Sequence, residues 1–173
     1  IIMTDRFTER ARSAIEKARE DLDSVGGVIE CFAVGVPAGL GDPMFDGVEN
    51  LLARALFGIP GVRGVEFGTG FAAAEMTGSR HNDAYCMKDG MLQTRTNHHG
   101  GILGGITTGM PLIVRMAIKP TPSIAMEQKT VDLTTGEETA LSISGRHDPC
   151  IVPRAVPVME AAVACVLYEL MTK

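Results

Sequence analysis

A chain of 173 residues with 45% hydrophobic and 21% charged residues is long enough to bury a substantial core and ordinary for a globular protein. A formal net charge of −5 disfavours a general nucleic-acid surface, while a local basic pocket needs only three or four cations. Aromatic residues are 5% and Trp is absent, so the core must rest on Leu, Ile, Val, Ala and the ten Met. No apolar run reaches the ~18–20 residues that span a bilayer. The first twenty residues are charged and helix-like, unlike a signal peptide. Cys31, Cys86, Cys150 and Cys165 contain no CxxC pair, which argues against a zinc ribbon or a thioredoxin motif. They read as reduced thiols of a cytoplasmic protein, with Cys31 and Cys165 in the core. The chain opens at Ile1 and runs directly into a charged helix, so a preceding segment is expected.

In chain order, residues 5–23 predict an amphipathic helix, because Phe7, Ala11, Ile15, Ala18 and Leu22 recur at three- and four-residue intervals. Thr4 or Asp5 would cap its start and Gly26-Gly27 its end. Residues 28–36 predict a well-buried strand, and the Pro- and Gly-broken stretch 37–43 a loop. A second helix is expected over 43–57, with Pro43 in its first turn and Phe45, Val48, Leu52, Ala55 and Leu56 on one face. Residues 62–67 read as a strand bent by Gly68 and Gly70, and residues 72–77 as one or two helical turns. Residues 78–101 lose all pattern, which predicts a long loop with a short hairpin around Lys88-Asp89-Gly90. Glycines 100, 101, 104 and 105 are too many for a helix and suit close backbone approach. A strand follows at 112–118, a hairpin at 130–133 and 139–143, and a last helix at 157–171 with Met159, Val163, Val166, Leu167 and Leu170 inward. Strands and helices do not alternate behind a GxGxxG turn, so a Rossmann domain is disfavoured and an α+β layered fold is expected.

Two short segments carry the densest chemistry. Lys119-Pro120-Thr121-Pro122-Ser123 offers an ammonium and two hydroxyls, and Arg146-His147-Asp148 a guanidinium, an imidazole and a carboxylate. Prolines hold both in place, and the set suits a multiply charged, phosphate-bearing ligand. Asp148 could act as a proton acceptor, or could simply pair with Arg146 or cap a turn. Arg146 could bind phosphate or form a surface ion pair, while His147 beside it reads as a hydrogen-bond donor. Gly104 could meet a ligand or make a tight turn, and without a following Gly-Lys-Ser/Thr the glycines are not a P-loop. Adjacent His98 and His99 diverge and lack a third ligand at metal spacing, so no metal is expected. Arg154 and Glu160 read as structural partners near the last helix.

The stretches SVGGVIECFAVGVPAGLGDPMFD, VRGVEFGTGF, NHHGGILGGITTG, KPTPSI and GRHDPCIVPRAVPVMEA resemble, in order, the C-terminal half of chorismate synthase, over about residues 23–173. The resemblance implies a β-α-β sandwich, truncated at the N-terminus, in which residues 1–173 form a single domain, the C-terminal part of an enzyme about twice as long. It implies reduced FMN as cofactor. Lys119, Pro120, Thr121 and Ser123 match the family's FMN-binding KPTSS-like segment, with Pro122 in place of the usual Ser. Arg146 and Gly104 match FMN contacts, and Asp148 a position that assists proton handling at the flavin. Pro60 and Gly61 stand where the family usually has Asn-Ala, so a backbone contact is what would persist there. Asn97 and His98 match a loop near the active site.

By the same resemblance the whole enzyme converts 5-enolpyruvylshikimate 3-phosphate to chorismate, an anti-1,4 elimination of phosphate and a ring proton without net redox, in the shikimate pathway of aromatic amino acid biosynthesis. The family is homotetrameric and takes a small phosphorylated substrate, with no nucleic acid or membrane partner. Its two catalytic histidines and several substrate-binding arginines lie in the other half, so the isolated chain is expected to have little or no turnover. Two alternatives are another FMN-dependent oxidoreductase and a non-catalytic, self-associating module.

Overall fold

The computed structural model describes residues 9–173. These form α1 (Glu9–Glu20), β1 (Gly27–Ala33), α2 (Val48–Phe57), β2 (Val62–Phe67), a one-turn α3 (Gly78–His81), β3 (Tyr85–Lys88), β4 (Met91–Thr94), β5 (Ile102–Leu103), β6 (Ile106–Thr107), β7 (Leu112–Ile118), β8 (Gln128–Val131), β9 (Glu138–Leu141) and α4 (Val152–Thr172), with 3₁₀ turns at Met44–Asp46 and Gly70–Glu75. The α+β class expected from the sequence holds. The main sheet has the order β1-β7-β2, with both outer strands antiparallel to β7. β1 and β2 are therefore parallel to each other and joined through α2, a split β-α-β unit with β7 inserted between its strands.

The core follows from the alternation along β7. Leu112, Val114, Met116 and Ile118 are buried on one face, against Val48, Leu52 and Leu56 of α2 and Met159, Val163 and Leu167 of α4. The opposite face carries Arg115, in register with Glu30 on β1 and Glu66 on β2. Arg115 Nε donates to Glu66 Oε1 at 2.6 Å and its Nη1 to Glu30 Oε2 at 3.1 Å.

Several boundaries differ from those read in the sequence. Thr4, Asp5 and Phe7 lie outside the described residues. The first helix ends not at the glycine pair but at Leu22, whose φ is +59°. Its N–H bonds Arg19 O at 3.2 Å and the Asp23 N–H bonds Ala18 O at 2.8 Å, the paired closure that satisfies a helix's last carbonyls. Gly26 is needed for another reason: a side chain there would strike the Ile118 carbonyl and the Pro120 ring. The second helix starts at Val48, behind the turn Met44–Asp46, and Phe45 is 81% exposed and not on the core face. The 130–133/139–143 hairpin is instead β8–β9, two residues earlier. The last helix starts at Val152, with Pro153 in its first turn and Pro157 inside it. Cys31 is buried as expected, and burial raises its thiol pKa, but Cys165 is exposed.

The sequence reading found no membrane-length apolar run, yet α4, at 21 residues, is long and apolar enough by length and composition to cross a membrane. It packs on β1 and α2, with Met159 and Val163 fully buried. Leu52→Ala should cost about 2–5 kcal/mol through the cavity it leaves, whereas Phe45→Ala should change stability by no more than about 0.5 kcal/mol. Urea unfolding of the two variants checks the pair.

Candidate functional site

The loops that carry the expected site residues hang from the ends of β7. At its exit, the Lys119 N–H donates to Gly61 O at 2.9 Å, which seats the Lys119 turn against Pro60 and Gly61 between α2 and β2. Two consecutive residues ahead of β1 then gather the donor-rich segments. Ser24 Oγ donates to Thr121 O at 2.6 Å, and the Val25 N–H donates to Pro149 O at 2.8 Å. Lys119, Pro120, Ser123, Arg146 and Pro60 are exposed, while Thr121, Gly61 and Asp148 are half-buried. Thr121 Oγ is shut off from solvent and has no hydrogen-bond partner among the described residues.

Asp148 is not paired with Arg146. Arg154 Nη1 donates to its Oδ2 at 2.6 Å, across a pair whose side chains are 42% and 79% exposed for Asp148 and Arg154. Arg154 thus reaches back from α4, as a structural partner should, but towards Asp148. Arg146, Asp148 and Arg154 line a cavity of about 380 Å³. His147 Nε2 donates to Ile143 O at 2.7 Å, so it is the donor its neighbourhood suggested.

Gly104 lies elsewhere. Gly104 and Gly105 form the two-residue turn between β5 and β6, with φ of +61° and +87°. Gly105 is packed against Asp42 O and the Gly47 backbone, and its carbonyl accepts the Val48 N–H at 2.9 Å. Gly104 faces open space. This hairpin is rooted at the start of β7 and of α2, where Gly101 abuts Met110 and Pro111. The Lys119 turn and Gly61 follow the far ends of the same two elements. A seven-residue strand spans about 20 Å, so Gly104 is not brought together with Lys119, Thr121 or Arg146 within this chain.

Beside that hairpin, His98 and His99 join His81 and Asp83, two residues that the sequence did not mark, in one cluster. His81 stacks on His98 with ring centroids 5.7 Å apart and meets His99 edge-on at 4.7 Å. Thr69 Oγ lies 3.1 Å from His98 Nδ1. Asp83 accepts the His98 N–H at 2.8 Å, the His99 N–H at 3.0 Å, the Thr96 hydroxyl at 2.7 Å and the His99 ring Nδ1 at 2.8 Å. Burial opposes ionisation of this carboxyl, but the donors from His99, Thr96 and His98 outweigh it and hold the pKa far below the usual carboxylate range. The cluster borders two cavities of about 380 and 420 Å³, both lined by His99. In the sequence the His98-His99 pair marks the cluster, while Asp83, two residues behind the short helix that ends at His81, lies in the pattern-free stretch.

An α+β chain with its glycine- and proline-rich loops anchored at the two ends of one central strand is the class these features define. Comparison with known proteins supplies the family. The chorismate synthase family profile matches residues 1–172. Chorismate synthase of Methanocella arvoryzae is 59% identical over 157 residues, covering 91% of this chain and 42% of the relative. That of Thermococcus gammatolerans is 57% identical, covering 93% and 45%. A crystal structure of chorismate synthase superposes with a TM-score of 0.74 at 33% identity, covering 94% of this chain and 41% of that one. The chain belongs to the chorismate synthase family, and it spans less than half the length of these curated relatives.

Two predictions follow from the local geometry. Gly104→Ala should cost about 1–2 kcal/mol for the left-handed backbone alone, whereas Gly105→Ala must also displace the Asp42 carbonyl and should exceed about 3 kcal/mol; thermal unfolding ranks them. Because the folded pKa of Asp83 is depressed, its stabilisation is fully present above the unfolded value of about 3.9 and is lost as pH falls through the folded value. Asp83→Asn should therefore flatten the acid limb of a stability-versus-pH curve below about pH 4.

Proposed function

We propose that this chain contributes the cofactor-holding part of a chorismate synthase. The complete enzyme would convert 5-enolpyruvylshikimate 3-phosphate to chorismate by anti-1,4 elimination of phosphate, with reduced FMN as cofactor. The observation that carries the reading is Thr121. A hydroxyl sealed from water with no partner costs about 1–3 kcal/mol, and the residues around it are a cation, further hydroxyl donors and prolines. That donor set fits the phosphate and ribityl groups of FMN, which would satisfy the orphaned atom.

In this reading Lys119, Thr121 and Ser123 hold the cofactor, Pro120 fixes their backbone, and Pro60 and Gly61 offer backbone contacts. Arg146 adds a planar fork for an anionic group; Gly104, at the other end of β7, would offer its bare backbone surface to the cofactor held by a second copy of the chain. Reduced FMN, when bound, lends electron density to the substrate without net redox. Asp148 would accept the ring proton as the ring C–H electron pair forms a new double bond, the existing ring double bond shifts one position, and phosphate leaves with its C–O electron pair. Its exposed pairing with Arg154 is worth at most about 1 kcal/mol, so the carboxylate can exchange that partner. By the same family likeness the enzyme works as a cytoplasmic homotetramer.

The test is anaerobic turnover of the complete native polypeptide with reduced FMN, read as chorismate formation. Residues 1–173 alone should show little or none, and full turnover by them would contradict the assignment. Steady oxidation of a nicotinamide cofactor without chorismate would point to an oxidoreductase. Thr121→Val should act with opposite signs. It should stabilise the unliganded protein by about 1 kcal/mol and weaken FMN binding several-fold in a fluorescence titration; unchanged flavin affinity would remove Thr121 from the site.

A further inference from the structure

Asp83 lies outside every residue assigned above, and the geometry around it points to a role. We infer that Asp83 is a positioning residue that presents the Gly104 hairpin to the cofactor; the inference rests on the flavin-binding reading. All four donors to its carboxylate come from the segment 96–99, immediately ahead of Gly100 and Gly101. The Thr96 hydroxyl and the His98 N–H converge on Oδ1, the His99 N–H and ring nitrogen on Oδ2. Both oxygens are thus used as acceptors, and the Asp83 side chain is only 9% exposed.

The clamp is transmitted onward by Asn97, which sits inside the clamped segment. Its Nδ2 donates to Pro111 O and its Oδ1 accepts the Gly101 N–H, both at 2.8 Å. Gly101 O in turn accepts the Thr108 N–H at 2.9 Å, which closes the base of the β5–β6 hairpin. From the other side, the Thr69 N–H donates to His98 O at 2.7 Å and the Ile113 N–H to Gly100 O at 3.0 Å, tying the segment to the exit of β2 and the start of β7. Asp83 therefore holds the 96–101 backbone from the side that neither sheet strand reaches. Gly104 itself faces open space; the Gly105 carbonyl is anchored on the other flank by the Val48 N–H, so the hairpin is set by α2 on one side and by the Asp83-clamped base on the other. A tip held in one place binds without the ordering cost of a loose one.

Only a carboxylate meets the demand. An asparagine at 83 offers one acceptor oxygen and turns an NH₂ towards two N–H donors. The experiment uses the complete native polypeptide and FMN itself. Asp83→Asn should raise the FMN dissociation constant about tenfold, raise the apparent KM for FMN with kcat at saturating FMN kept within about twofold, and speed amide exchange across residues 100–105. Lys119→Ala, from the opposite end of β7, should weaken FMN without altering that exchange. If Asp83→Asn does not fold, Thr96→Val removes one exposed donor and should show the same pattern, about threefold in affinity. Wild-type FMN affinity in a folded Asp83→Asn or Thr96→Val protein would overturn the inference while leaving the flavin reading intact. Failure of the wild-type protein to bind FMN would overturn both.

Discussion

Everything in this chain is referred to β7. Its seven residues alternate so that Leu112, Val114, Met116 and Ile118 enter the core, and these four dictate which faces β1 and β2 must present. Burial of each such side chain is worth about 1.5–3 kcal/mol, and a slip of one residue would turn all four to the wrong face. The register is thus secured by the apolar pattern, and the loops inherit it. The strand begins where Pro111 receives Asn97 and ends where Lys119 is fastened to Gly61. A central strand with fixed register delivers its two ends to fixed places, and both candidate loop clusters stand at those ends.

The second face of β7 does a different job. Arg115 bridges Glu30 and Glu66 on the two flanking strands and also donates through Nη2 to Gly68 O. Its side chain is 26% exposed, so screening keeps each ion pair modest, and the geometric effect outweighs the energetic one. The guanidinium fork fixes the carbonyl of Gly68 just where β2 leaves the sheet. The next residue, Thr69, donates to His98 O and lies beside the His98 ring. One cation in the sheet therefore helps to set the entry of the histidine cluster.

What could be read in the sequence follows the strength of local signals. The strand at 112–118 and the apolar face Val48, Leu52, Leu56 were legible because the core demands apolar residues there. The Asp89-Gly90 turn was legible because its φ values of +52° and +76° demand those residue types. Helix ends were less so. Leu22 adopts a conformation that sequence reading reserves for glycine, and of the glycines that looked like a stop Gly26 is claimed by contact with Ile118 and Pro120 and Gly27 by Val152. Pro157 looked like a helix start because Pro153, four residues earlier, carries the same signal. For the candidate site, residue types at 119–123 and 146–148 drew attention to those segments, but the partner of Asp148 was set by α4 reaching back with Arg154, a contact no local pattern encodes. Asp83 was invisible for a related reason: its four partners come from backbone and side chains 13 to 16 positions away.

The substitution at residue 122 can be understood from the way its turn is anchored. Proline there removes a backbone donor and a hydroxyl relative to the serine usual in the resembled motif. Neither loss touches what holds the turn in place, since Lys119 N–H binds Gly61 O and Thr121 O accepts from Ser24, both ahead of the exposed Pro122. A second proline directly after Thr121 restricts that residue's backbone and narrows the conformations open to the unfolded chain. The turn then holds Thr121 Oγ shut off from solvent and without a hydrogen-bond partner among the described residues. Rigidity supplied by the backbone is what lets a polar atom stay unpaired in the free protein, and an unpaired, correctly placed donor gains a full hydrogen bond when an acceptor arrives.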